Sequence, residues 1–317
     1  MGETSIWIEK YRPSSFKEIK GQDNIVNRIK AFVENKNIPH LIFAGPPGVG
    51  KSTLALVTVK TLFGEDWRSN FLELNASDSR GIDTIRNDVK SFARVKSINT
   101  DIPKIIFLDE ADSLTKEAQQ ALRRTMETYS NSTRFIFSAN YSSKLIEPIQ
   151  SRCTVFRFKP LEKEHIKEIV DCISKKENIK VDKKALDALF EISNGDVRRV
   201  ENVLQSCAVI SDSIREDLIY EIVSAARPKE VLEVLNLAVK GEFIRSKNLL
   251  LDTMLKHGLS GIDIIKQIQQ EIWKLDIKDE DKLRMIEKCG EMEFRMVEGS
   301  DEFIQLESLI ASFTNAN

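Results

Sequence analysis

Gly45-Pro-Pro-Gly-Val-Gly-Lys-Ser52 is a glycine-rich run that ends in a lysine and a hydroxyl residue. Glycines at Gly45, Gly48 and Gly50 let successive backbone N–H groups curl around phosphate oxygens with no Cβ in the way. Lys51 supplies a point charge for β- and γ-phosphates, and Ser52 a hydroxyl for Mg²⁺. With Pro46, Pro47, Val49 and Thr53, these residues make a candidate cradle for a nucleoside triphosphate. The pattern carries that meaning only where a strand precedes it and a helix begins at it. A second pair of chemical groups closes the apolar run Ile105-Ile-Phe-Leu-Asp-Glu110. A buried strand there delivers Asp109 to its C-terminal tip, where ligands bind in α/β sheets. Asp109 can hold Mg²⁺ through water, and Glu110 can orient or deprotonate an attacking water. Read alone, two acids after an apolar run are a strand end in solvent; beside the glycine loop they read as the second half of a hydrolytic site. Asn140 closes a third run, Arg134-Phe-Ile-Phe-Ser-Ala-Asn140, and by itself reads as a turn residue.

The elements that must carry these groups follow from the apolar pattern. Leu41–Ala44, Phe71–Leu74, Ile105–Leu108, Arg134–Ser138 and Thr154–Phe158 read as five short buried strands. Helical patterns separate most of them, at Lys51–Leu62, Ile82–Lys96 and Lys116–Thr128. Strands alternating with helices imply an α/β domain, residues 1–160, with a five-stranded parallel sheet and flanking helices. After Leu161 the strand signal stops. Glu162–Lys176, Lys183–Ser193, Asp196–Ile210 and Ser213–Ser224 read as a small helical lid domain, residues 161–228. Residues 229–317 are again helical. Ile264, Ile265, Ile268 and Ile272 mark one helix face, and Phe303, Leu306, Leu309, Ile310 and Phe313 another. Gly241, Gly258 and Gly299 read as helix stops, and Gly195 and Pro228 as breaks.

Composition excludes several classes. No run of apolar residues reaches the roughly 18 that a membrane span requires, and Met1–Lys10 lacks a basic-then-apolar export signal. Cys153, Cys172, Cys207 and Cys289 are far apart, which argues against a disulfide framework or a zinc site and for a reducing compartment. The net charge of −2 conceals an asymmetry. Residues 229–317 carry 12 Lys and Arg against 17 Asp and Glu, a net of −5, which leaves 35 against 32, or +3, for residues 1–228. Any nucleic acid is therefore expected on the first part, through local stripes.

Further segments narrow the choice among phosphate-loop ATPases. They are Trp7-Ile-Glu-Lys-Tyr-Arg-Pro13, Ile19-Lys-Gly-Gln22, Asn75-Ala-Ser-Asp-Ser-Arg-Gly-Ile-Asp83 and Leu108-Asp-Glu-Ala-Asp-Ser-Leu114. Ala118-Gln-Gln-Ala-Leu-Arg-Arg-Thr-Met-Glu127, Glu147-Pro-Ile-Gln-Ser-Arg-Cys153 and Gly195-Asp-Val-Arg-Arg199 follow in order. In order and spacing the set resembles the small subunits of replication factor C, AAA+ ATPases that load sliding clamps. The similarity is dense from Trp7 to about Gln205; beyond Pro228 it rests on length and helical character. The resemblance implies an AAA+ domain, a lid and an all-helical C-terminal collar. It implies ATP and Mg²⁺ as cofactors. Tyr11 and Arg12 would lie near the adenine edge, Asn140 would be a first sensor of the nucleotide, and Arg198 a second, with Arg199 less suited. Arg152 would be an arginine finger acting in trans on a neighbouring subunit's ATP, a role that fits arginine's planar, permanently charged fork. Read without the resemblance, Arg152 is a surface residue and Arg198 a helix-face charge.

The implied partners are other copies of the small subunit, a large clamp-loader subunit, a PCNA-type sliding clamp and primer–template DNA, with no membrane. The implied location is the cytoplasm, or the nucleus in a eukaryote; a chain this short, with no extension, is expected of an archaeon. Arg86, Lys90 and Arg94 recur every four residues, with Arg80 just before and Lys144 beyond Asn140. Such a stripe can neutralise successive phosphates without reading bases; the same spacing also describes a solvated helix face. Ile98 stands where relatives present an apolar residue to the clamp, and a buried Ile98 is the alternative. Two other functions compete: a DNA-remodelling AAA+ machine of helicase or initiator type, and an ATP-binding scaffold subunit. The acidic C-terminal region, with no strand pair for a winged helix, counts against the first. The full set of Lys51, Ser52, Asp109, Glu110, Asn140, Arg152 and Arg198 counts against the second.

Overall fold

A computed structural model describes residues 6–77, 85–97, 102–223 and 226–314. Strands β1 (His40–Ala44), β2 (Phe71–Asn75), β3 (Lys104–Asp109), β4 (Thr133–Ala139) and β5 (Cys153–Arg157) agree with the expected runs to within a residue at each end. They form one sheet in the order β2-β3-β4-β1-β5, and every neighbouring pair is parallel. The three inner strands are buried almost throughout, as continuous apolar runs must be when helices cover both faces. The edge strands β2 and β5 are half-exposed.

The strand order positions the chemistry. The chain leaves β1 in one direction to reach β2 at an edge, and leaves β4 in the other to reach β5. This reversal opens a crevice at the C-terminal tip of β1, the usual place for a ligand in an open α/β sheet. The glycine loop follows β1, Asn140 follows β4 and Asp109 ends β3, so neighbouring strand tips carry all three.

Helices α1 (Trp7–Lys10), α2 (Asp23–Glu34), α3 (Lys51–Phe63), α4 (Lys90–Arg94), α5 (Lys116–Thr128) and α6 (Glu147–Gln150) accompany the sheet. In α2 the apolar residues Ile25, Val26, Ile29 and Val33 form one buried stripe. In α3 burial extends around the helix, including Leu54, Ala55, Val57, Thr58 and Phe63. The Thr115 hydroxyl caps α5 by accepting the Ala118 N–H at 3.2 Å. The expected helix Ile82–Lys96 is described from Ile85 onward. It opens as a π-type turn, Ile85–Val89, before becoming α4, so an α-helical step from residue 86 to 90 does not hold for the backbone there.

The next helices are α7 (Lys163–Glu177), α8 (Lys183–Ser193) and α9 (Val197–Ile210). Asp182 and Asp196 cap α8 and α9 by accepting N–H bonds from Ala185 at 2.6 Å and Arg199 at 3.3 Å. A short ribbon accompanies these helices, β6 (Lys180–Val181) paired with β7 (Ser213–Ile214). Strands of two residues are too short to show an alternating pattern in sequence.

The chain divides into two compact units, residues 1–213 and 214–317. The second contains α10 (Glu216–Val223), α11 (Pro228–Val239), α12 (Phe243–His257), α13 (Gly261–Ile272), α14 (Asp279–Val297) and α15 (Glu302–Thr314). Its core gathers Val234, Leu235, Ile264, Ile268, Ile272, Leu306, Ile310 and Phe313. The α13 stripe is buried as its spacing requires. In α15, Leu306, Leu309, Ile310 and Phe313 are buried, whereas Phe303 is 42% exposed; it sits in the first turn, at the end of the stripe. Gly258 ends α12 in the left-handed conformation, φ +63°, as a helix C-cap prefers. Among the described residues no helix is long and apolar enough to cross a membrane.

Candidate active site

The loop after β1 is closed by the Gly45 N–H donating to Ala139 O at 3.1 Å, so it is tied to the tip of β4. Gly48 has φ +67°, and a Cβ there would come within 1.6 Å of an Asp196 carboxylate oxygen. Backbone conformation and the close approach of the lid both require glycine at this position. Gly50, at φ +95°, is the N-cap of α3, and a Cβ there would meet nothing within 4 Å. The loop thus turns a bare backbone concavity and a helix N-terminus toward open space, as a phosphate cradle does.

Lys51 is buried, and its ammonium donates to the carbonyls of Gly45 at 2.6 Å and Pro46 at 2.7 Å and to Asn140 Oδ1 at 3.2 Å. Burial pushes its pKa down; the Asp109 carboxylate opposes that and Arg198 reinforces it. The Ser52 hydroxyl donates to Asp109 Oδ2 at 2.7 Å, and the Glu110 N–H to Asp109 Oδ1 at 3.0 Å. Glu110 itself is held at φ +51°, a left-handed conformation that side chains other than glycine seldom adopt. A small cavity of about 70 Å³ joins Lys51, Ser52, Asp109, Glu110, Asn140 and Arg198. A hydroxyl and a carboxylate already 2.7 Å apart are hard oxygen donors of the kind Mg²⁺ takes, and the cradle beside them suits phosphate. These residues fit a Mg²⁺–nucleotide complex.

A larger cavity of about 520 Å³ adjoins this end, lined by Tyr11, Arg12, Val49, Thr53, Arg198 and Glu201 among others. Arg198 faces both cavities; Arg199 lines neither. The lid is fixed to the loop by the Val197 N–H donating to Gly48 O at 3.1 Å. The Tyr11 hydroxyl and the Lys10 ammonium both bond to Glu177, and the Lys176 ammonium lies 5.3 Å from the Tyr11 ring centre. Burial pushes the Tyr11 phenol's pKa up, and the bond to Glu177 adds to that.

Two acids here have no counterpart in the expectations from sequence. Glu201 is 5% exposed, and its pKa is pushed up to about 8, first by burial and then by Asp196 and Glu9, against the pull of Arg198. Its spacing of three from Arg198 on one helix face was the available signal. The other is Glu127, which holds Arg152. The Arg152 guanidinium donates to Glu127 Oε1 at 2.6 Å and to Pro148 O at 2.8 Å. It lines neither cavity.

Lys90 and Arg94 are exposed on α4, while Ala93 on the same helix and Val89 just before it are buried. Lys144 is exposed in a 3₁₀ turn, its ammonium 5.3 Å from the Tyr141 ring centre. Arg80, the Arg86 side chain and Ile98 lie outside the described residues.

Two family models match the chain. The ATPase family associated with various cellular activities (AAA) matches residues 41–161, and the replication factor C C-terminal domain residues 226–312. The chain is 51% identical over 311 residues to the replication factor C small subunit of Archaeoglobus fulgidus, covering 98% of each chain. The chain belongs to the replication factor C small-subunit family. Replication factor C small subunits from Methanocella arvoryzae and Staphylothermus marinus are 48% and 49% identical, over 99% and 96% of this chain and 97% and 93% of theirs. As a member of the replication factor C family the chain is a nucleotide-binding AAA+ ATPase of the clamp-loader class, part of a complex with other subunits. Among solved structures, the RuvB Holliday junction branch migration motor of Thermotoga maritima matches with a TM-score of 0.57 at 19% identity, over 72% of this chain and 79% of that one. That likeness bears on the fold alone.

Proposed function

We propose that this chain is an ATP-driven switch, one of several small subunits that join a large subunit to open a PCNA-type clamp and seat it on primer–template DNA in the cytoplasm. The observation that supports this best is the convergence of Lys51, the Ser52–Asp109 pair, Asn140 and the lid residue Arg198 on one small cavity. In this reading Lys51 exchanges its loop carbonyls for phosphate oxygens, and Asn140 and Arg198 contact the same phosphate from the sheet and from the lid. Ser52 and Asp109 hold Mg²⁺, which when bound supplies the charge that neutralises the phosphate oxygens. Glu110 accepts a proton from the attacking water, the role of a positioned general base. Tyr11 and Arg12 border the adenine end. Arg152, outside its own subunit's cavities, serves a neighbour's ATP in trans. The functional division places the catalytic domain at 1–160, the lid at 161–228 and an oligomerising collar at 229–317.

DNA, in this reading, runs along Lys90, Arg94 and Lys144 together with Arg80 and Arg86. Contacts to the backbone release counterions, so neutralising Lys90 and Arg94 should flatten the slope of log affinity against log salt by about 0.9 per lost phosphate contact. The deciding experiment is ATP turnover of the assembled complex with and without clamp and primed DNA. Turnover should rise when both are added, and Glu110→Gln should still bind ATP while hydrolysing it slowly. Turnover indifferent to clamp and DNA would refute the loader reading while leaving the ATPase intact.

A further inference from the structure

Arg152 is held from two sides. Its Nη1 donates to Pro148 O at 2.8 Å, within its own turn. Its Nη2 donates to Glu127 Oε1 at 2.6 Å, on the last turn of α5, a different element 25 residues away in sequence. The same Oε1 accepts from Arg123 Nη1 at 3.2 Å, one helical turn earlier. One carboxylate oxygen therefore serves two guanidinium groups, which would otherwise repel each other. An Arg123–Glu127 pair at i,i+4 is ordinary surface helix chemistry. The bond to Arg152 is not, because it crosses between elements and is the shorter of the two. The Arg152 side chain remains 40% exposed, and a guanidinium carries more N–H donors than these two contacts use.

We propose that Glu127 is the positioning residue that presents Arg152 to the ATP of the neighbouring subunit. The proposal rests on the trans role of Arg152 given above. A free arginine side chain samples many rotamers, and each subunit encounter would have to select one. The two contacts fix the fork before a phosphate arrives, so that loss of freedom is not charged to the hydrolytic step. Glu127 and Pro148 O each take one N–H of a terminal nitrogen, which leaves further N–H groups of the fork to serve a phosphate. Its charge matters as well as its shape, because it keeps Arg123 and Arg152 together at one surface.

The test is ATP turnover and nucleotide affinity in the assembled, full-length complex for Arg152→Ala, Glu127→Ala, Glu127→Gln and the double variant Glu127→Ala/Arg152→Ala. Glu127→Ala should lower kcat by about tenfold to a hundredfold, the scale of an ångström-sized misplacement of a positioned group. Nucleotide affinity at the variant's own loop should not change. Glu127→Gln, which keeps the shape and one acceptor, should lose less. The double variant should be no slower than Arg152→Ala, because the carboxylate acts only through that arginine. Mixed with Lys51→Ala subunits, Glu127→Ala subunits should regain part of the hydrolysis, since the lesion sits on the finger-donating side.

If Arg152→Ala keeps wild-type turnover, the trans reading of Arg152 fails, and this proposal with it. If Arg152→Ala is slow but Glu127→Ala is not, Arg152 stands and Glu127 has no positioning role. Faster turnover in Glu127→Ala would make the carboxylate a competitor that withholds the finger, and multiplicative losses in the double variant would separate the two residues; either result overturns the proposal. A complex that fails to assemble with Glu127→Gln as well as Glu127→Ala would make Glu127 an assembly residue instead.

Discussion

The phosphate end of residues 1–213 and the helical unit 214–317 differ in where they keep their ionisable groups. The first buries Lys51 and Glu201 with their pKa values displaced by that burial. The second has an apolar core of aliphatic, methionine and phenylalanine side chains and holds the half-buried Glu230 among cations. Burying a charge costs stability unless something compensates, so groups kept inside against that cost mark the place where a ligand is handled. The helical unit also buries an acid, Glu271, but pairs it with the Lys274 ammonium at 2.7 Å on the next turn, so its charge is compensated inside a core built for packing.

Four substitutions test that contrast. Phe313→Ala removes a fully buried ring from the helical core and should cost about 3–5 kcal/mol by denaturant unfolding of that transition. Nucleotide affinity should be unchanged; a parallel loss would show that the phosphate end depends on this core. Lys51→Ala should weaken ATP binding at least about a hundredfold, or ~2.7 kcal/mol, by calorimetric titration. Without nucleotide, its melting temperature should match or exceed wild type, because the lost ammonium was one that burial disfavoured. A marked drop would mean that the contacts to Gly45, Pro46 and Asn140 support the fold more than burial opposes it.

The two carboxylates respond to pH in opposite senses. Glu201 has a folded pKa of about 8, above the ordinary value of 4.5, so the folded state holds a proton that the unfolded state releases between these values. Stability should therefore fall as pH rises from about 4.5 to 8. Glu201→Gln should remove that decline, worth on the order of 4 kcal/mol at pH 8, and a melting curve series that still slopes would sink the assignment.

For Glu230, burial pushes the pKa up, but the Lys256 ammonium, the Arg227 N–H and His257 outweigh it and hold the carboxyl at about 2. Its stabilisation is fully present above pH 4.5 and is lost as pH falls toward 2. Glu230→Gln should cost roughly 1 kcal/mol at neutral pH and flatten the acid limb. An equal acid slope in both proteins would count against it.

Much of this was legible in the sequence, for identifiable reasons. Inner strands of a covered parallel sheet must be apolar on both faces, so Ile105–Leu108 and its neighbours announce themselves. The cradle around Gly48 and Gly50 was visible because no other residue type serves there. What stayed hidden depends on contacts between elements. Nothing local to Arg152 names Glu127 as its partner, and nothing local to Glu201 says that the lid and the N-terminal segment bury it. The ribbon of β6 and β7 was too short to show a period, and the π-type turn before Lys90 leaves no compositional trace. Arg198 and Arg199 are adjacent in sequence; the resemblance favours Arg198, and the way α9 faces the two cavities gives the physical reason, since Arg198 lines both and Arg199 neither.

The bond from Val197 N–H to Gly48 O gives α9 a fulcrum. The helix begins at that bond and runs to Ile210, about 20 Å at 1.5 Å per residue. A tilt of about 5° at the loop would swing its far end by roughly 2 Å on that length. Val209 and Ile210 stand there, 84% and 62% exposed. A change of sub-ångström size in how the loop grips a phosphate would thereby be converted, by leverage alone, into a displacement that a neighbouring surface could register.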